Sequence, residues 1–148
     1  MSWSITAAPF KVSLSGSDPA LQCSSANTPV LKFSGTPPKG TKSYAIIFWD
    51  QMPSSLSGRW LVFDLPRGTT SLAAVSAGNL KLAGGQAATN EAKRAGYSAI
   101  CSKGHHDIYI DYYALNVASL NLPAGTPLQT LHSAIKRHKL QEAKAHLT

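Results

Sequence analysis

Apolar residues along the chain fall in short runs closed by clusters of Gly, Pro and Ser. Two of these, SYAIIFWD (Ser43 to Asp50) and RWLVFDLP (Arg59 to Pro66), are short and almost evenly hydrophobic, the pattern of well-buried strands and not of amphipathic helices. HDIYIDYYAL (His106 to Leu115) makes a third. In PVLKFSG (Pro29 to Gly35), Leu31 and Phe33 alternate with Val30, Lys32 and Ser34, which predicts a weaker strand with one face buried. Between them GTPPKGTK and QMPSSLSG supply residues that turn the chain through fixed or positive φ.

Helical spacing occurs twice. From Thr126 to Leu147, the residues Leu128, Leu131, Ile135 and Leu140 recur at near-helical intervals, with Thr126 as N-cap and Pro127 at the first helical position. A shorter helix is expected in TNEAKRAG, capped by Thr89 or Asn90 and stopped at Gly96. The Ala/Gly/Ser-rich stretch from Gly68 to Gly96 holds few large apolar groups and reads as a long surface excursion, a length uncommon unless functional. Many short strands between Gly/Pro turns suggest a mainly β sandwich or barrel.

With 148 residues, 43% of them hydrophobic, the chain is large enough to bury one core without metals or staples. A single domain over residues 1–148 is expected. The opening MSWSITAAPF has no basic n-region and no run of eighteen apolar residues occurs anywhere, so neither a signal peptide nor a transmembrane helix is expected and the location reads as cytoplasmic. Cys23 and Cys101 lack the paired spacing of zinc or redox motifs and read as buried thiols. A bond between them would point to an oxidising compartment.

Fourteen Lys and Arg against seven Asp and Glu give a net charge of +7, which favours anionic partners. Only AIKRHKLQEAKAHLT at the C-terminus concentrates the charge, through Lys136, Arg137, Lys139 and Lys144. No aromatic stacking platform accompanies it, so it reads as a solvated helix face and no specific nucleic acid is expected.

Four fragments occur in a telling order: SGTPPKGTKSYAIIFWD, GRWLVFDLP, GYSAICSKG and HHDIYIDYYALNVASLNLPAG. Together they resemble the phosphatidylethanolamine-binding protein family, in its bacterial and archaeal Raf-kinase-inhibitor-like branch, from about Asn27 to the C-terminus. The resemblance implies an antiparallel β-sandwich with short peripheral helices and a C-terminal helix. It also implies a small pocket that accepts a phosphate-like or carboxylate anion, and a homodimer.

The pocket residues transfer one at a time, and several are altered. The family's Asp-Pro-Asp-type turn corresponds to WDQMP, which keeps Asp50 but has Gln51 and Met52 after it. The histidine of a His-Trp pair is here Arg59, ahead of Trp60. A titratable donor is thus replaced by a permanently charged fork able to grip an oxyanion in bidentate fashion. In the Gly/Pro-rich anion loop stand Ser98, Ala99, Ile100 and Ser102, which restrict close approach to the backbone. Of the family's His-Arg-Tyr motif His106 remains, followed by Asp107 and by Ile108 in place of the phenol. A register shifted by one would give His105 the role, with Tyr109 as the aromatic partner.

The expected site is therefore Asp50 as orienter, Arg59 and His106 as anion-binding groups, and Trp60, Ala99 and Ile108 as lining. Asp50 and Arg59 side by side would alternatively form an ion pair that closes the pocket. The neighbours His105 and His106 face opposite sides of a strand, which argues against a metal, and no cofactor is expected. No Gly-x-Ser-x-Gly elbow, P-loop or dinucleotide fingerprint is present. The remaining catalytic arrangement, Cys101 with a nearby histidine, ranks below an inert buried thiol. The expectation is a non-enzymatic binding protein for a small anionic ligand, an anionic group of a protein partner or an anionic lipid head group. The alternative is a basic interaction module with a vestigial pocket that docks on an acidic protein, nucleic acid or anionic membrane.

Overall fold

In a computed structural model of the chain, residues 11–14, 27–91, 93–99 and 106–147 are described. The strands are β1 (Lys11–Leu14), β2 (Leu31–Ser34), β3 (Ser43–Met52), β4 (Ser55–Pro66), β5 (Ser71–Leu72), β6 (Lys81–Leu82), β7 (Gly85–Ala87), β8 (Asp107–Leu115) and β9 (Lys139–Leu147). One helix, α1 (Leu128–His138), stands among these residues. A three-stranded sheet runs β1-β2-β5 and a six-stranded sheet β6-β7-β4-β3-β8-β9, with every pairing between them antiparallel.

The long hydrophobic runs become the centre of the large sheet because they can be covered on both faces. One face of β3, with Tyr44, Ile46 and Phe48, joins Trp60 and Val62 of β4, Ile108, Ile110 and Tyr112 of β8, and Leu31, Phe33 and Leu72 of the small sheet. The other face, with Ala45 and Ile47, meets Leu61, Phe63, Tyr113 and Leu115 and is roofed by Leu131, Ala134 and Ile135 of α1. The two-residue period of the strands therefore separates an inter-sheet core from a sheet-on-helix core. β2 shows the predicted alternation, with Leu31 and Phe33 buried and Lys32 and Ser34 exposed.

Four expectations are corrected. The C-terminal helix ends at His138, not Leu147, and the chain enters β9 with Lys139 already extended. The free edge of β8 offers ladder partners from Ile108 to Leu115, and tertiary pairing there overrides the helix propensity of LQEAKA. Pro127, not Thr126, is the N-cap and makes no side-chain cap bond. Thr126 is instead buried, and its carbonyl accepts the Thr89 N–H at 2.9 Å.

The helix expected over Thr89–Gly96 is replaced by a tight turn in which Lys93 has φ +65° and donates to the Asn90 carbonyl. The Gly68–Gly96 excursion is in part sheet: it supplies β5, β6 and β7 and buries Leu72, Leu82, Ala87 and Ala88. Cys23 and Cys101 lie outside the described residues. No helix among the described residues is long and apolar enough to cross a membrane.

Gly96 sets the return of this excursion. Its φ is +81°, and a Cβ there would clash with the Ala77 carbonyl oxygen, the same oxygen that accepts the Tyr97 N–H. Gly96→Ala combines a strained φ with a backbone overlap and is expected to cost roughly 2–3 kcal/mol. A lowered midpoint in urea unfolding at unchanged slope is the measurement; an unchanged midpoint contradicts this account.

Candidate functional site

The site forms where β3, β4 and the entrance of β8 meet at one end of the sandwich. Asp50 lies two residues beyond Phe48 on the inter-sheet face of β3, opposite Ser57 on one side and Ile108 on the other. Its side chain is 2% exposed. Pairing between β3 and β4 passes from Phe48↔Trp60 to Trp49↔Gly58, which leaves Arg59 as an extra residue in β4. Such a bulge re-aims the side chain it carries. Here it brings Arg59 beside Asp50, with Nε 4.0 Å from Oδ2.

His106 precedes β8 directly, and its Nδ1 is 2.7 Å from Asp50 Oδ1. An ionised carboxylate can only accept, so in this bond Nδ1 carries the proton and the ring orientation is set by Asp50. Arg59 keeps 17% and His106 13% of the side chain exposed. The carboxylate is therefore the most enclosed of the three groups, and the two nitrogen groups keep some contact with solvent.

Two donors at this place lack acceptors. Arg59 Nε and the indole Nε1 of Trp60 are both buried without a hydrogen bond. The contact between Asp50 and Arg59 is accordingly a loose ion pair and not the bidentate fork that would consume the guanidinium.

A buried amide supports the bulge. Asn90 is 2% exposed, and its Nδ2 stands 2.8 Å from Ser98 Oγ, 3.0 Å from the Gly96 carbonyl and 3.3 Å from the Arg59 carbonyl. The Ser98 N–H also donates to the Arg59 carbonyl at 3.0 Å. The segment 96–99 is thereby tied to the residue that carries the guanidinium. Beneath it the Tyr97 ring stands edge-on to both Phe48 and Trp60.

Asp50, Arg59 and His106 are brought together as the sequence suggests. Trp60 is fully buried, Ile108 faces the same core directly opposite Asp50, and Ala99 packs against that core. The shifted register fails in part: Tyr109 pairs with Trp49 on the opposite face of the sheet. His105, Ile100 and Ser102 lie outside the described residues. Asn90 was missed, because an Asn after Thr reads equally as a helix cap. Among the described residues no three His, Cys, Asp or Glu side chains are grouped to hold a metal ion.

The sequence profile described as phosphatidylethanolamine-binding protein matches residues 8–148. The chain belongs to the phosphatidylethanolamine-binding protein family. A UPF0098 protein of Aquifex aeolicus (strain VF5) is 30% identical over 114 residues, covering 74% of this chain and 66% of that relative, so the match stops just short of two thirds of the relative's length. Among solved structures, E. coli YbcL, described as a new member of the mammalian family, superposes with a TM-score of 0.76 at 23% identity, covering 94% of this chain and 96% of its own. The family homologue CT736 of Chlamydia trachomatis D/UW-3/CX gives 0.67 at 26% identity, covering 82% and 81%. The family's sandwich is thus retained in this member.

Two substitutions separate the roles at this site. Asn90→Ala leaves the Gly96 carbonyl and Ser98 hydroxyl without their donor and is expected to cost about 1–3 kcal/mol. Trp60→Phe keeps an aromatic body and removes an unpaired buried donor, so stability is expected to stay level or rise by up to about 1 kcal/mol. Both are read from urea unfolding midpoints, and a larger loss for Trp60→Phe than for Asn90→Ala contradicts the assignment.

Proposed function

We propose that this family member is a binding protein whose altered pocket accepts the anionic group, phosphate-like or carboxylate, of a small ligand or partner. The observation that carries the reading is the buried Arg59 Nε, which has no hydrogen-bond acceptor while Asp50 stands 4.0 Å away. A buried donor left unpaired costs free energy, and an oxyanion that accepts from it recovers that cost with charge assistance. His106, oriented by Asp50, is the second anion-facing group, and Trp60, Ala99 and Ile108 wall the pocket. The relatives' names support a binding role and leave the ligand to be found by experiment.

Relative to the family's histidine at this position, Arg59 gives a cation at every accessible pH and a planar pair of donors. Carboxylates and phosphates should therefore bind comparably, since both offer two coplanar oxygens.

The alternative, docking through the basic C-terminus, has less to work with. Lys144 stands on Asp111 and Lys139 on Glu142, and the segment from Lys139 to Leu147 is a strand of the main sheet. Removing residues 136–148 would delete that strand, so it tests stability before it tests docking.

Isothermal titration with phosphate, acetate and phosphoethanolamine tests the pocket. Wild type is expected to bind with saturable heats, and Arg59→Ala to weaken binding by roughly tenfold or more, the equivalent of one charge-assisted hydrogen bond at about 1.5–3 kcal/mol. Arg59→Lys should recover only part of the loss. Equal weak heats for wild type and Arg59→Ala would remove Arg59 from the mechanism.

A further inference from the structure

β3 and β8 carry a second buried polar group on the face turned toward α1. The Asp111 side chain is 9% exposed. Its Oδ2 accepts the Trp49 indole N–H at 2.9 Å and the Tyr113 hydroxyl at 3.1 Å. Its Oδ1 is buried, makes no hydrogen bond, and faces the Lys144 ammonium at 3.2 Å. That ammonium also stands 5.8 Å from the centroid of the Tyr109 ring, within cation–π range. Beside these groups opens a cavity of about 330 Å³ lined by Trp49, Gln51, Leu56, Tyr109, Asp111 and Lys144.

The chemistry of this lining selects a cation. It combines one carboxylate with two aromatic walls, and the exposed Leu56 adds an apolar lip. Burial, together with the charges of Asp111 and Glu142, pushes the Tyr113 hydroxyl well above its usual range, so it remains a neutral donor that fixes Oδ2. His132, edge-on to Trp49, is pushed below the usual imidazole range by burial and by Lys136, so it is a poor counter-cation near neutral pH. Lys144 supplies the positive charge, from a side chain 48% exposed on the edge strand β9. A lone carboxylate falls short of the several oxygens a hard metal ion requires, whereas an alkylammonium needs one carboxylate and π faces.

We propose that this cavity is an alkylammonium-binding site, occupied here by the chain's own Lys144, which swings out to admit the ammonium group of a ligand. Lys144 then acts as a tethered competitor that holds affinity down. The site lies on the opposite sheet face from Asp50 and stands or falls independently of the anion pocket.

The test follows the Trp49 indole N–H resonance, assigned by its loss in Trp49→Phe, during titration with tetramethylammonium chloride or ethylammonium chloride, with sodium chloride as control. Lys144→Met keeps the stem against Tyr109 and removes the competitor. It is expected to show a saturable shift with an affinity roughly tenfold above wild type, and adding Asp111→Asn, which still offers Trp49 and Tyr113 an acceptor, should abolish it. Preference for tetramethylammonium would assign the selectivity to the rings, and preference for ethylammonium to the Oδ1 hydrogen bond. No saturation in Lys144→Met, an equal response to sodium chloride, or undiminished binding in the double variant overturns the proposal.

Discussion

A carboxylate sealed from solvent governs this end of the molecule. Asp50 is 2% exposed and is held between His106 at 2.7 Å and Arg59 at 4.0 Å. An isolated ion there would be severely penalised, so the fold must deliver nitrogen groups to it from β4 and from the residue that leads into β8. That requirement explains why the β3–β4 ladder is interrupted between Phe48 and Trp49. Regular pairing would alternate the side chains of β4 from face to face, and only the extra residue between Gly58 and Trp60 allows Arg59 to reach Asp50 while Trp60 keeps its place against Phe48. The bulge and the buried charge are therefore a single constraint seen from backbone and side chain.

The same constraint bears on how Arg59 is held beside Asp50. A guanidinium carries a charge that cannot be shed, and its long stem has more freedom than an imidazole. Fixing its backbone compensates for that freedom: the Arg59 carbonyl accepts from Ser98 N–H and lies within reach of the Asn90 amide, which also holds Gly96 and Ser98. The segment 96–99 thus serves as a brace for β4. Substitutions in it act on the site through backbone position, without touching a ligand.

The strands at the centre of the large sheet were legible because their hydrophobic runs are short, rich in β-branched and aromatic residues, and bounded by turn formers. The juxtaposition of Asp50, Arg59 and His106 was suggested through the family resemblance, not by a local pattern of the chain. The C-terminal strand was not. LQEAKA has good helix formers, and nothing local reveals that the edge of β8 lacks a partner; the deciding interaction is with residues some thirty positions earlier. Asn90 failed for a related reason, since its acceptors at 59, 96 and 98 become neighbours only after the sheet and the excursion are in place.

Alternation along β3 and β8 also explains how one pair of strands carries two buried carboxylates on opposite faces. Asp50 and Ile108 face the inter-sheet core, while Trp49, Tyr109 and Asp111 face the side of α1. Each buried carboxylate takes its counter-charge from a different strand: Asp50 from the bulge of β4, Asp111 from Lys144 on β9. The two pairings differ in how the cation is anchored. Arg59 is braced at its carbonyl and its Nε is enclosed, so it is held beside Asp50. Lys144 is a half-exposed side chain on an edge strand, and leaving Asp111 would return the rotamer entropy that the ion pair holds back. That difference underlies the two proposals: a fixed cation beside a carboxylate suits an incoming anion, whereas a removable cation above a carboxylate and aromatic rings would leave a place for another cation.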